Sequence, residues 1–186
     1  MKIDIARQPL VPAFMTLFAL AVAAMCAGIP VSDTSGAVRD ALPLLGGQLA
    51  RFQAAYPVWS KFAAGFMLLF TGMCAGRITI RYNLYTVGTC LPIPLYAIVA
   101  CGIATGGNYL AGFAASMLLS LATKNYCRAF CNGYGFDAIF RASLYLGLMP
   151  LIYAPALPLL LLLPLAVLLF RRTLREVAVA TAGLLL

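Results

Sequence analysis

An all-α bundle of membrane-crossing helices is the fold this sequence predicts, and three features predict it. Hydrophobic residues make up 63% of the chain and charged residues only 10%, with a mean hydropathy of +0.97. A soluble domain carries about 25% charged residues, so here there is too little polar surface to enclose an apolar core in water. The apolar residues also run continuously instead of alternating with period two, which disfavours a transmembrane β-barrel. Finally, most of the 11 prolines and 16 glycines lie inside those runs, as membrane helices tolerate when neighbouring helices re-satisfy the backbone.

A span needs about 20 apolar residues. The first is expected over 12–30, after a short head with Lys2 and Arg7. A cleaved signal peptide is the competing reading, since Ala21-Val22-Ala23 offers a small-x-small site. The apolar run continues to Ile29 and further spans follow, so an uncleaved helix is expected. Met25 stands where a lipoprotein cysteine at Cys26 would want a small residue.

Residues 31–56 form the longest polar stretch, with Asp33, Arg39, Asp40, Gln48, Arg51 and Gln53. Leucine, alanine and valine recur among them at helical spacing. This predicts an extracytoplasmic helical segment along the interface, broken near Gly46-Gly47. Tyr56 and Trp59 suit an aromatic belt and open a second span over 56–76, with Lys61 able to snorkel. A third span is expected over 84–105 and a fourth over 109–123, separated by the turn Gly106-Gly107-Asn108. A polar loop over 124–141 follows. The stretch 142–170 is long for one span, and Pro155 and Pro158 predict a hairpin of two short helices breaking after Tyr153. Six spans result, with a seventh beginning at Val177.

Charge sets the orientation. With a cytoplasmic N-terminus, Lys2, Arg7, Arg77, Arg81, Lys124, Arg128, Arg141, Arg171, Arg172 and Arg175 lie inside, leaving Arg39, Arg51 and Lys61 outside. That distribution obeys the positive-inside rule. A single kinked span over 142–170 would export the last three arginines and lose the bias. The net charge of +8 therefore reads as membrane topology, and nucleic acid is not an expected partner. The final ten residues, 177–186, are apolar and reach only about 15 Å into a hydrocarbon core of about 30 Å. The expectation from this is a single transmembrane domain over 1–186 that continues beyond Leu186 in the native protein.

Chemistry is sparse. The chain has no histidine, the commonest general acid or base near neutral pH. Its carboxylates are Asp4, Asp33, Asp40, Asp137 and Glu176, and none is expected at mid-membrane depth. The six cysteines include no Cys-x-x-Cys pair, and Cys127 and Cys131 supply at most half of a zinc site. No metal site or cofactor is expected. Asp137 is placed to cap a helix and to pair with Arg141. The pairs Gly72–Gly76 and Gly102–Gly106 make flat helix strips that serve dimerisation or, more commonly in so glycine-rich a chain, packing within one bundle.

Pro92 and Pro94 fall within an apolar run, predicting a helix over 84–105 bent around Leu91 to Leu95. Interrupted helices near the bilayer centre often line substrate sites, which makes Asn83, Tyr85, Pro92, Pro94 and Tyr96 the substrate-binding candidates. The bland reading is a kink without a ligand. Asp33 and Asp40 are catalytic candidates only by analogy with multi-pass enzymes that use polyprenyl-linked sugars. Solvated acids in a polar stretch are the simpler account.

Several segments resemble an uncharacterised family of multi-pass inner-membrane proteins of Bacteroidota. They are 77–83 with the following Leu91-Pro92 span, Phe136-Asp137-Ala138 leading into 141–153, the turn Tyr153-Ala154-Pro155-Ala156-Leu157, and 168–176. The resemblance covers about residues 70–186. It implies a fold with more helices than this chain holds and a bacterial inner-membrane location, and it carries over no activity or catalytic residue. Two functions then stand as expectations. One is a non-enzymatic component of envelope assembly or transport, with the lipid bilayer around it and a membrane-protein partner or a second copy beside it. The other is a membrane glycosyltransferase or polymerase using polyprenyl-linked sugars.

Overall fold

The computed structural model describes residues 10–26, 44–82, 89–104, 108–131, 135–161 and 174–185. Among these residues the chain is helical and contains no strand. Seven α-helices are described: α1 (Leu10–Cys26), α2 (Leu44–Ala55), α3 (Pro57–Arg81), α4 (Pro92–Ala104), α5 (Tyr109–Cys131), α6 (Phe136–Ile152) and α7 (Leu174–Leu185). A 3₁₀ helix, Ala154–Leu161, follows α6. By length and composition α3 is the one described helix able to cross a bilayer, while α1 and α4 are apolar but shorter. Its 25 residues extend about 37 Å.

Small residues let these helices close on one another. A Cβ on Gly72 would stand 2.8 Å from Leu17 of α1, and one on Gly76 would stand 2.5 Å from Ile93 of α4. The Gly72–Gly76 strip is thus filled from within the chain. Gly102 and Gly106 lie outside the residues whose side chains are described. Leu17 and Gly72 meet, as do Met25 and Gly65, so α1 runs antiparallel to α3. Ile93 at the start of α4 meets Gly76 near the end of α3, so α4 is antiparallel to α3 as well. α3 and α5 start side by side, where Ser60 touches Tyr109. α6 turns back along α5, with Gly135 close against Ala129.

The result has two ends. Arg77, Arg81, Lys124, Arg128 and Arg141 gather where α3 and α5 finish and α6 begins; Arg51 and Lys61 lie toward the other end. Between the ends the outward surface is apolar. On α3, Trp59, Phe62, Phe66, Phe70 and Met73 form one exposed stripe at helical spacing, with Trp59 69% and Phe66 66% exposed. On α1 and α4, Val11, Met15, Phe18, Ile98 and Val99 are exposed in the same way. A monomer in water rarely shows contiguous apolar patches larger than a few hundred Å².

Several expected boundaries move. Residues 84–88 lie outside the described residues, but Thr89 and Cys90 are non-helical and α4 starts at Pro92. The two prolines therefore begin a helix and do not bend one: at N1 and N3 their missing N–H groups would have had no intrahelical partner. α2 runs through Gly46-Gly47 without a break, Gly46 being buried against the bundle. The expected loop over 124–141 is mostly helix, because α5 continues through Lys124 and Arg128 to Cys131 and α6 starts at Phe136. Lysine, asparagine and arginine end an apolar run, but they do not end a helix. Asp137 lies in the first turn of α6 and not at its cap, which is Gly135, and it pairs with Arg141 at 3.0 Å. The break after α6 falls at Tyr153, whose backbone is extended. The second arm of the expected hairpin includes 162–170, outside the described residues.

Candidate functional site

Buried hydroxyls pin the helices before any ligand is considered. Ser60 is fully buried and donates to the Pro57 carbonyl at 2.8 Å, leaving its oxygen to accept from the Tyr109 hydroxyl at 2.6 Å. Gln53 of α2 reaches over the start of α5, where its Oε1 accepts from the Leu110 N–H at 3.5 Å. That contact meets one of the orphan donors every helix start presents. These bonds lock α2, α3 and α5 at the Ser60 end.

Deeper in the bundle Tyr96 of α4 makes a second polar contact. Ser116 donates to the Phe113 carbonyl at 2.8 Å, so its oxygen is free to accept from the Tyr96 hydroxyl at 3.2 Å. Thr71, also buried, faces the same phenol from α3 without completing a hydrogen bond. Of the predicted substrate-binding residues, Pro92 and Pro94 sit in the first turn of α4 and Tyr96 lies one turn further on. Asn83 and Tyr85 lie outside the described residues, as do Asp33 and Asp40.

A concavity that gathers several cations lies at the opposite end, on α3 and α5. Its volume is about 250 Å³. Arg77 and Arg81 are one helical turn apart and project from one face of α3; Lys124 comes across from α5. Tyr82 contributes a phenol, and Phe70 and Met73 form an apolar wall. The fields of Lys124 and Arg77 converge on Cys74 between them. Among the described residues no carboxylate lines this pocket and none of the three cations makes an ion pair. Three uncompensated cations can hold an anion by charge and hydrogen bonding.

Sequence reasoning used Arg77, Arg81 and Lys124 only to count charge. The i,i+4 spacing of the two arginines was the signal for a paired anion grip, whereas the approach of Lys124 depends on how α5 packs. The burial of Glu176 is likewise not visible in the sequence. Glu176 is only 1% exposed, in the first turn of α7, among the most buried side chains described. Comparison of the chain with protein-family models, curated proteins and solved structures finds no match.

Proposed function

We propose that this chain is a polytopic protein of the bacterial inner membrane, its N-terminus in the cytoplasm, with six spans followed by the helix α7. It works there as a non-enzymatic component of envelope assembly or transport. On the same reading, residues 70–186 belong with the Bacteroidota inner-membrane proteins they resemble. The observation that carries the proposal is the outward apolar stripe Trp59, Phe62, Phe66, Phe70 and Met73, beside further exposed apolar residues on α1 and α4. In water such a surface would aggregate; in a bilayer it is the solvent-matched face. Charge supports the orientation, since Arg77, Arg81, Lys124, Arg128 and Arg141 share one end and that end is the cytoplasmic one under the positive-inside rule.

The test is cysteine accessibility in a cysteine-free background. Single cysteines at Gln48 and Arg128 should label from opposite faces of inverted and right-side-out vesicles, Arg128→Cys from the cytoplasmic face. Labelling of both from one face, or release of the protein by alkaline carbonate, overturns the reading. A non-enzymatic role further expects the Asp33→Asn, Asp40→Asn double variant to complement a deletion strain fully. Loss of complementation in a correctly inserted variant would favour the glycosyltransferase alternative.

A further inference from the structure

The apolar stripe of α3 does not stop at random. Phe62, Phe66, Phe70 and Met73 follow each other at intervals of three or four residues, and the next position on the same face is Arg77, followed by Arg81. The surface that faces hydrocarbon on the membrane reading thus runs directly into the cationic pocket, and Phe70 and Met73 belong to both. A ligand matching this layout is an amphiphile, with a tail along the stripe and an anionic head among Arg77, Arg81 and Lys124. Tyr82 adds a neutral donor at the head. Among the described residues the lining includes no acid that would repel an anion or neutralise the site.

We propose that the pocket formed by Arg77, Arg81, Tyr82 and Lys124 binds the phosphodiester headgroup of an anionic phospholipid, with an acyl chain lying against Phe70 and Met73. The proposal rests on the membrane reading above, yet it can fail alone: a correctly inserted protein could show no preference among lipids. Basic groups at the cytoplasmic surface of a membrane contribute about 1 kcal/mol each toward anionic lipid, which is about a fivefold change in affinity. Two arginines one turn apart can grip a phosphate with several N–H donors, a geometry that lysine at either position would only partly replace.

The test uses the full chain, purified in mild detergent and titrated with phosphatidylglycerol or phosphatidylcholine, with bound lipid read by native mass spectrometry. Wild-type protein should bind phosphatidylglycerol more tightly by at least about tenfold, given three converging charges. Each of Arg77→Gln, Arg81→Gln and Lys124→Gln should weaken that binding about fivefold, and the triple variant on the order of a hundredfold, with phosphatidylcholine unchanged. Arg77→Lys should recover part of the loss, and Arg128→Gln, outside the pocket, should stay within about twofold of wild type. A matching helical circular dichroism spectrum confirms that each variant is folded. Equal binding of the two lipids by wild type overturns the proposal, as does an Arg128→Gln loss equal to that of the triple variant. Inorganic phosphate that binds the pocket in the absence of any lipid preference would assign it to a soluble anion and overturn the lipid.

Discussion

Gly183 lets α6 and α7 pack closely, and replacing it with alanine should force the two helices apart. The new Cβ would stand 2.9 Å from the Phe140 carbonyl oxygen, 2.8 Å from Ser143 Oγ and 3.1 Å from Ser143 Cβ. The carbonyl belongs to the backbone and cannot rotate away. Ser143 is fully buried and donates to the Ile139 carbonyl at 2.5 Å, so its hydroxyl is held as well. Overpacking of this kind costs about 1–3 kcal/mol. Alanine returns up to about 1 kcal/mol as a better helix former. The expected net loss is about 0–2 kcal/mol, a fall in melting midpoint of up to roughly 8 °C by the scaling for chains of this size. Gly47→Ala is the internal comparison: nothing lies within 4 Å of its added Cβ, so only the propensity gain remains and the midpoint should hold or rise. Both midpoints are measured in one detergent by loss of helical circular dichroism or by thermal aggregation. A Gly183→Ala variant as stable as Gly47→Ala would refute the close α6–α7 packing.

Two further substitutions probe features that do not depend on any ligand. Ser60→Ala should destabilise more than Tyr109→Phe, because the first strands a buried phenol at a cost of about 1–3 kcal/mol, whereas the second leaves Ser60 bonded to Pro57 and loses only about 0.5–1.5 kcal/mol; equal midpoints for the two would sink the assigned direction of that bond. Pro92→Ala should change stability by less than about 1 kcal/mol because the residue opens α4, whereas Ala97→Pro, fully buried in the same helix, should cost about 3 kcal/mol or more; a large loss from Pro92→Ala would show that the proline works inside a helix.

What could be read from the sequence, and what could not, follows from what apolarity reports. The cores of α1, α3 and α6 are legible because their apolar runs are long, although α3 runs past the expected end at 76 and α6 starts at Phe136, inside the expected loop over 124–141. The start of α4 is not legible, since a run of apolar residues has the same composition whether it is extended at Thr89 and Cys90 or helical from Pro92. The true end of α5, at Cys131 and not at the expected 123, is hidden for a related reason. Lys124, Asn125 and Arg128 end the apolar run, but the backbone hydrogen bonds of a helix continue past a change in side-chain polarity without difficulty. Gly46-Gly47 looked like a break on propensity alone, but tertiary packing of α2 against α3, α5 and α6 overrides that cost. At the candidate site the arginine pair was visible in the spacing of 77 and 81. Its third cation was not, because the approach of Lys124 to Arg77 depends on the parallel run of α3 and α5, which only tertiary contacts define.

The buried residues fall into two separate groups, one from α1, α3, α4 and the first half of α5, the other from the rest of α5, α6, the 3₁₀ helix and α7. α5 supplies buried residues to both: Tyr109, Leu110 and Phe113 to the first, Ala115, Ala122 and Ala129 to the second. A chain leaving the ribosome would therefore complete the first group as soon as Phe113 is released, before any of α6 exists. The C-terminal half of α5 then stands as a finished template onto which α6 can fold back. Cooperative units of this kind open independently, the weaker first. Amide exchange should accordingly divide α5 along its own length, with its first turns protected like α3 and its last turns exchanging with α6.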